Sequence, residues 1–162
     1  MRLERDFFAR DALLVARDLV GCRVVRGDLS MVIAETEAYR GETDTACHAH
    51  KGRTKRTEVL YGDAGTLYVY LCYGMHWLMN VVTGGQEDPQ CVLIRAGADA
   101  KGPALLTRAL KIDGSLNGES ALTSGKIWFE SGNVCEVEEK ARVGIAYAAP
   151  EDRNRPWRFV MK

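Results

Sequence analysis

The chain has 162 residues, 22 basic and 22 acidic side chains and therefore no formal net charge, with 46% hydrophobic residues. This is the length and make-up of one ordinary globular domain; a whole-molecule basic field for nucleic acid is excluded, so any such partner must be held by a local patch. No apolar run is long enough to cross a bilayer and the charged start, Met1-Arg2-Leu3-Glu4-Arg5-Asp6, carries no secretory core. We expect no membrane association and a location in the cytoplasm near the nucleoid, or in the nucleus if the source is eukaryotic.

In chain order, Asp11 can cap a helix from Ala12 to Leu19, with Leu13, Leu14 and Val15 against the core and Gly21 as its stop. Cys22 to Val25 reads as a strand, Arg26-Gly27-Asp28 as a turn, and Met31 to Tyr39 as the returning strand. Strict alternation puts Met31, Ile33, Glu35, Glu37 and Tyr39 on one face of that strand and Val32, Ala34, Thr36 and Ala38 on the other. Two carboxylates beside apolar neighbours on a sheet face are either paired with cations or functional.

Residues 40 to 57 read as an irregular loop with a helical turn from Thr54 to Leu60. Long loops in compact domains tend to carry function. This one holds Lys51, Arg53, Lys55 and Arg56 beside His48 and His50, with no acid between Thr45 and Thr57.

Next comes the richest stretch, Gly65 to Asn80, which reads as a β-hairpin reversing at Gly74 with Tyr73 at its tip. Leu67, Val69 and Leu71 share one face, and Tyr68 and Tyr70 the other. Such a strand can be ordinary core packing or the wall of a site; read alone it does not decide. Gly84 to Pro89 is a loop, Cys91 to Ala96 a strand containing Arg95, and Gly102-Pro103 opens a helix to about Leu110. After a loop from 111 to 126, Ile127 to Glu130 and Val134 to Glu138 read as strands around the turn Ser131-Gly132-Asn133. Arg142 to Ala148 reads as another strand, Pro150 to Pro156 as a polar loop, and Trp157 to Met161 as a closing extended segment. A second basic group, Arg153, Arg155, Arg158 and Lys162, is partly offset by Glu151 and Asp152.

The five cysteines are odd in number, widely spaced and without a C-x-x-C pair, so we expect reduced thiols, mostly buried in strands. His48-Ala49-His50 would place two imidazoles on one strand face, but Asp44 and Cys47 do not complete a known ligand spacing, so no metal is expected. There is no G-x-S-x-G elbow, Walker loop or G-x-G-x-x-G, so neither a serine nucleophile nor a bound nucleotide cofactor is indicated. What remains is a carboxylate pair, a basic loop and an aromatic hairpin. Carboxylates can activate water against a glycosidic bond. Cations hold phosphates, aromatic faces stack on bases, and an apolar wedge can replace an extruded nucleotide.

An ordered set of segments resembles the alkyladenine (3-methyladenine) DNA glycosylases of the mammalian type. It comprises Glu35-Thr36-Glu37-Ala38-Tyr39, His48, Arg53-Thr54 with Arg56, Gly65-Thr66-Leu67-Tyr68-Val69-Tyr70, Tyr73-Gly74-Met75, Met79-Asn80, Cys91 to Ala96, Gly102-Pro103, Leu105 or Leu106 with Ala109-Leu110, Arg142-Val143-Gly144-Ile145 and Arg155 to Phe159. The resemblance covers nearly the whole chain and implies a single α+β domain around a curved antiparallel sheet with a protruding hairpin and no helix-hairpin-helix. It implies a monofunctional enzyme, without cofactor or metal, that hydrolyses the N-glycosidic bond of damaged purines in double-stranded DNA, and we expect a monomer. Carried over residue by residue, it makes Glu37 the base for the attacking water, helped by Arg95 and the Val143 carbonyl. Tyr39, His48 and Tyr70 would enclose the base, Asn80 would exclude the exocyclic amino group of guanine, and Tyr73 would be the wedge. Lys51, Arg53, Lys55 and Arg56 would face DNA. Cys72 and His76 beside the wedge, and the longer loop from Gly84 to Pro89, depart from the mammalian pattern and leave the breadth of substrates open. The alternative is a non-catalytic nucleic-acid-binding module of the same fold.

Overall fold

Every strand pairing is antiparallel, and one long strand serves as the hub. A computed structural model describes all 162 residues, Met1–Lys162. A short helix α1 (Arg5–Phe8) and α2 (Ala12–Leu19) lead into β1 (Arg23–Arg26) and β2 (Leu29–Tyr39). The projecting hairpin is β3 (Leu67–Cys72) and β4 (His76–Thr83), followed by β5 (Gln90–Gly97) and α3 (Pro103–Ala109). The chain ends with β6 (Ile127–Glu130), β7 (Val137–Lys140), a turn of helix α4 (Pro150–Arg153) and β8 (Arg158–Met161). The sheet runs β3-β4-β5-β2-β1-β6, and β8 joins β2 to β7. Along one edge of β2, β1 takes the first half and β8 the second, while β5 covers the other edge.

The pairing of β2 with β5 slips between Ile33 and Glu35 and again between Glu35 and Thr36. The two shifts cancel, since Ile33 opposite Gly97 and Thr36 opposite Ile94 share one register, but the in-and-out alternation reverses across the irregular stretch. Met31 and Ile33 therefore lie in the main core, whereas beyond the slip it is Thr36 and Ala38 that turn inward, Thr36 donating to the Ala16 carbonyl of α2 at 2.7 Å. The single face expected for Met31, Ile33, Glu35, Glu37 and Tyr39 is thus broken: Glu37 and Tyr39 point to the side away from α2.

The core lies between the sheet and α2 and α3, built from Val15 and Leu19, Leu67 and Val69, Met79 and Val81, Val92 and Ile94, Leu106 and Leu110. Leu14 is exposed, because three consecutive residues cannot share one helix face; Ala12, Val15, Ala16 and Leu19 do. The Asp11 side chain accepts from Leu13 N–H as the expected N-cap, and Gly21 takes φ +95° after the helix. Leu71 is also exposed, since β3 has by then run beyond the core. The hairpin reverses through Tyr73 (φ 53°) and Gly74 (φ 66°), left-handed values that suit the twist of a tight hairpin but are uncommon for a tyrosine.

Three other expectations change. Residues 131 to 136 form no strand: Gly132 sits so close to Gly21 that a Cβ would lie 1.9 Å from the Gly21 carbonyl oxygen, and pairing resumes only at β7 against β8. Residues 142 to 148 are turns, because the Val143 and Ala149 N–H groups bond to side chains rather than to a strand. The loop from 40 to 57 holds a 3-10 turn at His48–Lys51, with a second at Glu58–Tyr61. All five cysteines are free, but only Cys72 and Cys91 lie in strands, and Cys72 and Cys135 are half-buried.

One buried ion pair ties this loop to the C-terminal turn. Arg142 reaches Asp44 through two bonds of 2.6 and 3.0 Å, both side chains fully buried, and also donates to the carbonyls of Ala38 and Asp152. Its guanidinium lies 4.9 Å from the ring centres of Tyr39 and Trp157. Asp44 in turn accepts from the N–H groups of Arg40 and Ala46. Removing one partner would strand the other charge in the interior. Arg142→Met should lose about 3–5 kcal/mol of unfolding free energy, measured by urea denaturation.

Candidate active site

On the face away from α2, the register lines up Tyr68, Asn80, Leu93, Glu37 and Arg158 as cross-strand partners on β3, β4, β5, β2 and β8. Tyr39 and Cys91 pair in the next row, and Tyr70 stands opposite Leu78. The loop from 40 to 57 and the turn after Arg142 rise beside this face and convert it into a cleft of about 560 Å³. Glu37, Tyr39, His48, Arg56, Tyr70, Tyr73, Asn80, Arg95 and Val143, nine of the residues singled out in the sequence, all line it.

Glu37 is wholly buried, yet it is a carboxylate lining this cleft. Its Oε1 accepts from the Tyr39 hydroxyl at 2.7 Å, and its Oε2 from the Val143 N–H at 2.7 Å. The Arg95 Nε stands 3.7 Å from Oε2. Burial raises the carboxyl pKa above the ordinary range; Val143, Tyr39, Arg95 and Arg142 oppose the rise without cancelling it. The atom of Val143 that reaches Glu37 is its amide N–H.

Three aromatic rings form the opposite wall. His48 and Tyr70 have ring centres 4.6 Å apart, Tyr68 and Tyr70 5.3 Å, and the His48 Nδ1 is 2.8 Å from the Tyr68 hydroxyl. Burial and the nearby Arg56 bring the His48 pKa down to about 4, so the imidazole is neutral at physiological pH. The contact between the His48 Nδ1 and the Tyr68 hydroxyl couples imidazole and phenol, and the cation of Arg56 acts on both. Asn80 is buried, its Nδ2 donating to the Tyr68 carbonyl at 3.2 Å. Tyr147, which the sequence did not single out, stands at the mouth with its hydroxyl donating to the Ala46 carbonyl at 2.7 Å.

His50 does not join His48. It turns outward, its Nδ1 on the Glu42 carbonyl, because the two lie on a 3-10 turn and not on a strand. The basic loop is also less free than its composition implied. Arg53 is paired to Glu58 by bonds of 2.6 and 2.7 Å and also to Glu87, acids from outside the loop, while it stacks on Tyr61. Arg56 lies over the Tyr70 ring at 5.3 Å, and Lys51 and Lys55 are exposed. Tyr73 projects from the hairpin, 92% exposed, with Met75 beside it at 72%. These two are among the most exposed large apolar side chains of the molecule, and both flank the cleft.

Arg142, Asp44 and Arg158 hold the site together and escaped sequence reasoning. The partners that tie them to β2 and to one another lie 98 to 123 positions away, so no local spacing announces them.

The sequence profile of the methylpurine-DNA glycosylase family matches residues 6–101 and 98–162. The chain is 42% identical to a protein of Methanocella arvoryzae, over 99% of this chain and 92% of that one. It is likewise 42% identical to one of Carboxydothermus hydrogenoformans, over 100% and 96%, and 41% identical to one of Legionella pneumophila, over 99% and 94%. Each of the three carries the provisional name 3-methyladenine DNA glycosylase.

The neutral state of His48 has a measurable consequence. Its folded pKa lies below the unfolded value, so the unfolded chain binds the extra proton first and folding stability falls as pH drops from about 6.5 towards 4. Nitrogen-detected NMR should show a neutral imidazole at neutral pH and no imidazolium until pH approaches 4; titration near 6.5 would contradict the buried geometry.

Proposed function

The chain belongs to the methylpurine-DNA glycosylase family and is a DNA glycosylase, a hydrolase of N-glycosyl bonds, and from that premise we propose that it excises alkylated purines, 3-methyladenine and 7-methylguanine foremost, from duplex DNA by extruding the damaged nucleotide into the cleft. The observation that carries this reading is the placement of Glu37: a buried carboxylate with a raised pKa, facing a wall of neutral aromatic rings across a cleft of about 560 Å³.

In this mechanism Glu37 removes a proton from the water that attacks the anomeric carbon as the base departs. A carboxylate whose pKa lies above the ordinary range is the stronger proton acceptor, and Val143, Tyr39 and Arg95 stabilise its charged form. Arg95 stands where it can hold the carboxylate in place. A purine methylated at N3 or N7 is cationic and its glycosidic bond is already weakened, so the leaving group asks for little acid catalysis.

Selectivity follows from the walls. Tyr39, His48 and Tyr70 offer ring faces to a cationic base, each good contact worth about 0.5–2 kcal/mol when desolvated. A charged His48 would repel such a base; the burial that keeps it neutral serves recognition. Asn80, held by its bond to the Tyr68 carbonyl, would meet the purine edge where guanine carries its exocyclic amino group. Extrusion costs a few kcal/mol, less for a lesion that pairs poorly. Tyr73, already held in a left-handed conformation at an exposed tip, would fill the vacated stack. Lys51, Lys55 and Arg56, rather than the paired Arg53, supply free charge for phosphates.

Glu37→Gln keeps the shape of the side chain and can still accept from Val143 N–H. It should bind a lesion duplex with near-parental affinity while single-turnover excision falls by orders of magnitude; release of base at the parental rate would refute the assignment. Tyr73→Ala should leave the melting temperature unchanged and weaken lesion binding about tenfold or more, measured by fluorescence anisotropy with a single-lesion duplex.

A further inference from the structure

Arg95 does not belong to Glu37 alone. Its Nε lies 3.6 Å from the Glu35 Oε1 and 3.7 Å from the Glu37 Oε2, midway between two carboxylates of one strand. Glu35 is in turn held by Arg158 Nη1 at 2.5 Å, both side chains about one-fifth exposed. The same Arg158 donates from Nε to the Ala141 carbonyl at 2.7 Å. Ala141 is two residues from Val143, whose N–H is the strongest donor to Glu37. Two separate supports of Glu37, the Arg95 charge and the Val143 amide, therefore trace back to one ion pair on the neighbouring strand.

We propose that Glu35 and Arg158 are positioning residues for the Glu37 base: Glu35 takes half of Arg95, and Arg158 fixes both Glu35 and the turn that presents Val143. The inference rests on Glu37 being the base. Its physical content is a division of charge. If Arg95 closed fully on Glu37, the carboxylate would be over-stabilised and a weaker proton acceptor; if Arg95 moved to Glu35, the buried carboxylate would lose a cation. Glu35 and Arg158 hold it between these limits. The other groups facing Glu37 do not make this adjustment. Tyr39 donates from β2, and Arg142 is committed to Asp44. From the same turn Tyr147 bonds Ala46, and across the cleft stand Tyr70 and the neutral His48. On β7, Lys140 lies opposite Arg158 in the ladder but pairs with Glu138 at 3.4 Å.

The two halves of the pair predict opposite pH shifts, which a merely structural role would not produce. Glu35→Gln leaves Arg95 to Glu37, so the acid limb of the single-turnover pH–rate profile should move to lower pH and the plateau rate fall about tenfold as the base weakens. Arg158→Met releases Glu35 to claim Arg95 and frees the Ala141 turn, so the acid limb should move to higher pH. Lesion affinity, measured in parallel, should stay within about twofold in both. Should Arg158→Met not fold, Arg158→Lys retains the charge beside Glu35 but cannot span to Ala141, and its limb should shift upward by a smaller amount. Parental acid limbs in Glu35→Gln and in the folded Arg158 variant, with Glu37→Gln inactive, would overturn the positioning role alone. An active Glu37→Gln would overturn the base assignment and this inference with it.

Discussion

The slip in pairing between Ile33 and Thr36 is the constraint on which the rest of the molecule depends. A strand of eleven residues with unbroken alternation would send either its apolar first half or its polar second half to the wrong side of the sheet. Because alternation reverses across the irregular stretch, Ile33 lies in the main core and Glu37, four positions later, faces the cleft. The same irregularity lets two partners share one edge of β2, β1 before it and β8 after it, so that Arg158 arrives beside Glu35 and Glu37. Core and site are thereby built on one strand without compromise of either.

Burying a carboxylate is unfavourable, and this protein offsets the penalty with donors it fixes by further burial. The Val143 amide is available because residues 142 to 148 are not a strand, and they are not a strand because Arg142 draws the chain inward onto Asp44. That buried pair is satisfied by four bonds to Asp44, Ala38 and Asp152 and by two ring faces, although the Arg142 Nε has no partner. The supports do not restore Glu37 to an ordinary carboxyl. Its folded pKa stays above the unfolded one, so the folded state is the better proton binder and stability declines as pH rises from the ordinary carboxylate range through the raised value. The molecule thus accepts a small loss of stability at neutral pH at the place where the proposed chemistry needs a base.

Much of this was legible in the sequence where the signal is local. The N-capped helix after Asp11, the hairpin around Gly74, the helix opened by Gly102-Pro103 and the strand carrying Arg95 all rest on short-range patterns, and all are found within a residue or two. Leu14 aside, which helix periodicity alone turns outward, the failures share one cause: the deciding contact is distant. Nothing near Ile33 says that its pairing with Gly97 will slip, nothing near Gly132 says that it will meet Gly21, and nothing near Arg53 says that Glu87 will neutralise it. Nine cleft residues were nameable because the ordered resemblance carries three-dimensional information that spacing does not. Tyr68 could have been found without it, since alternation already placed it beside Tyr70.

The charge arrangement of the cleft also resolves a tension in the proposed chemistry. A site for a cationic base should be electron-rich, yet a site for DNA should be positive. Here the two demands are separated by depth. The free cations, Lys51, Lys55 and Arg56, lie on the exposed loop, where they can meet phosphates in water. Inside, the cations present are each spent: Arg142 on Asp44, Arg158 on Glu35, and Arg95 between Glu35 and Glu37. His48, which could have added another, is held neutral by burial. Arg56 marks the boundary, over the ring of Tyr70 and close enough to disfavour protonation of His48. In the proposed chemistry one loop cation would thus serve both sides, meeting the DNA backbone outside while it helps keep His48 uncharged within.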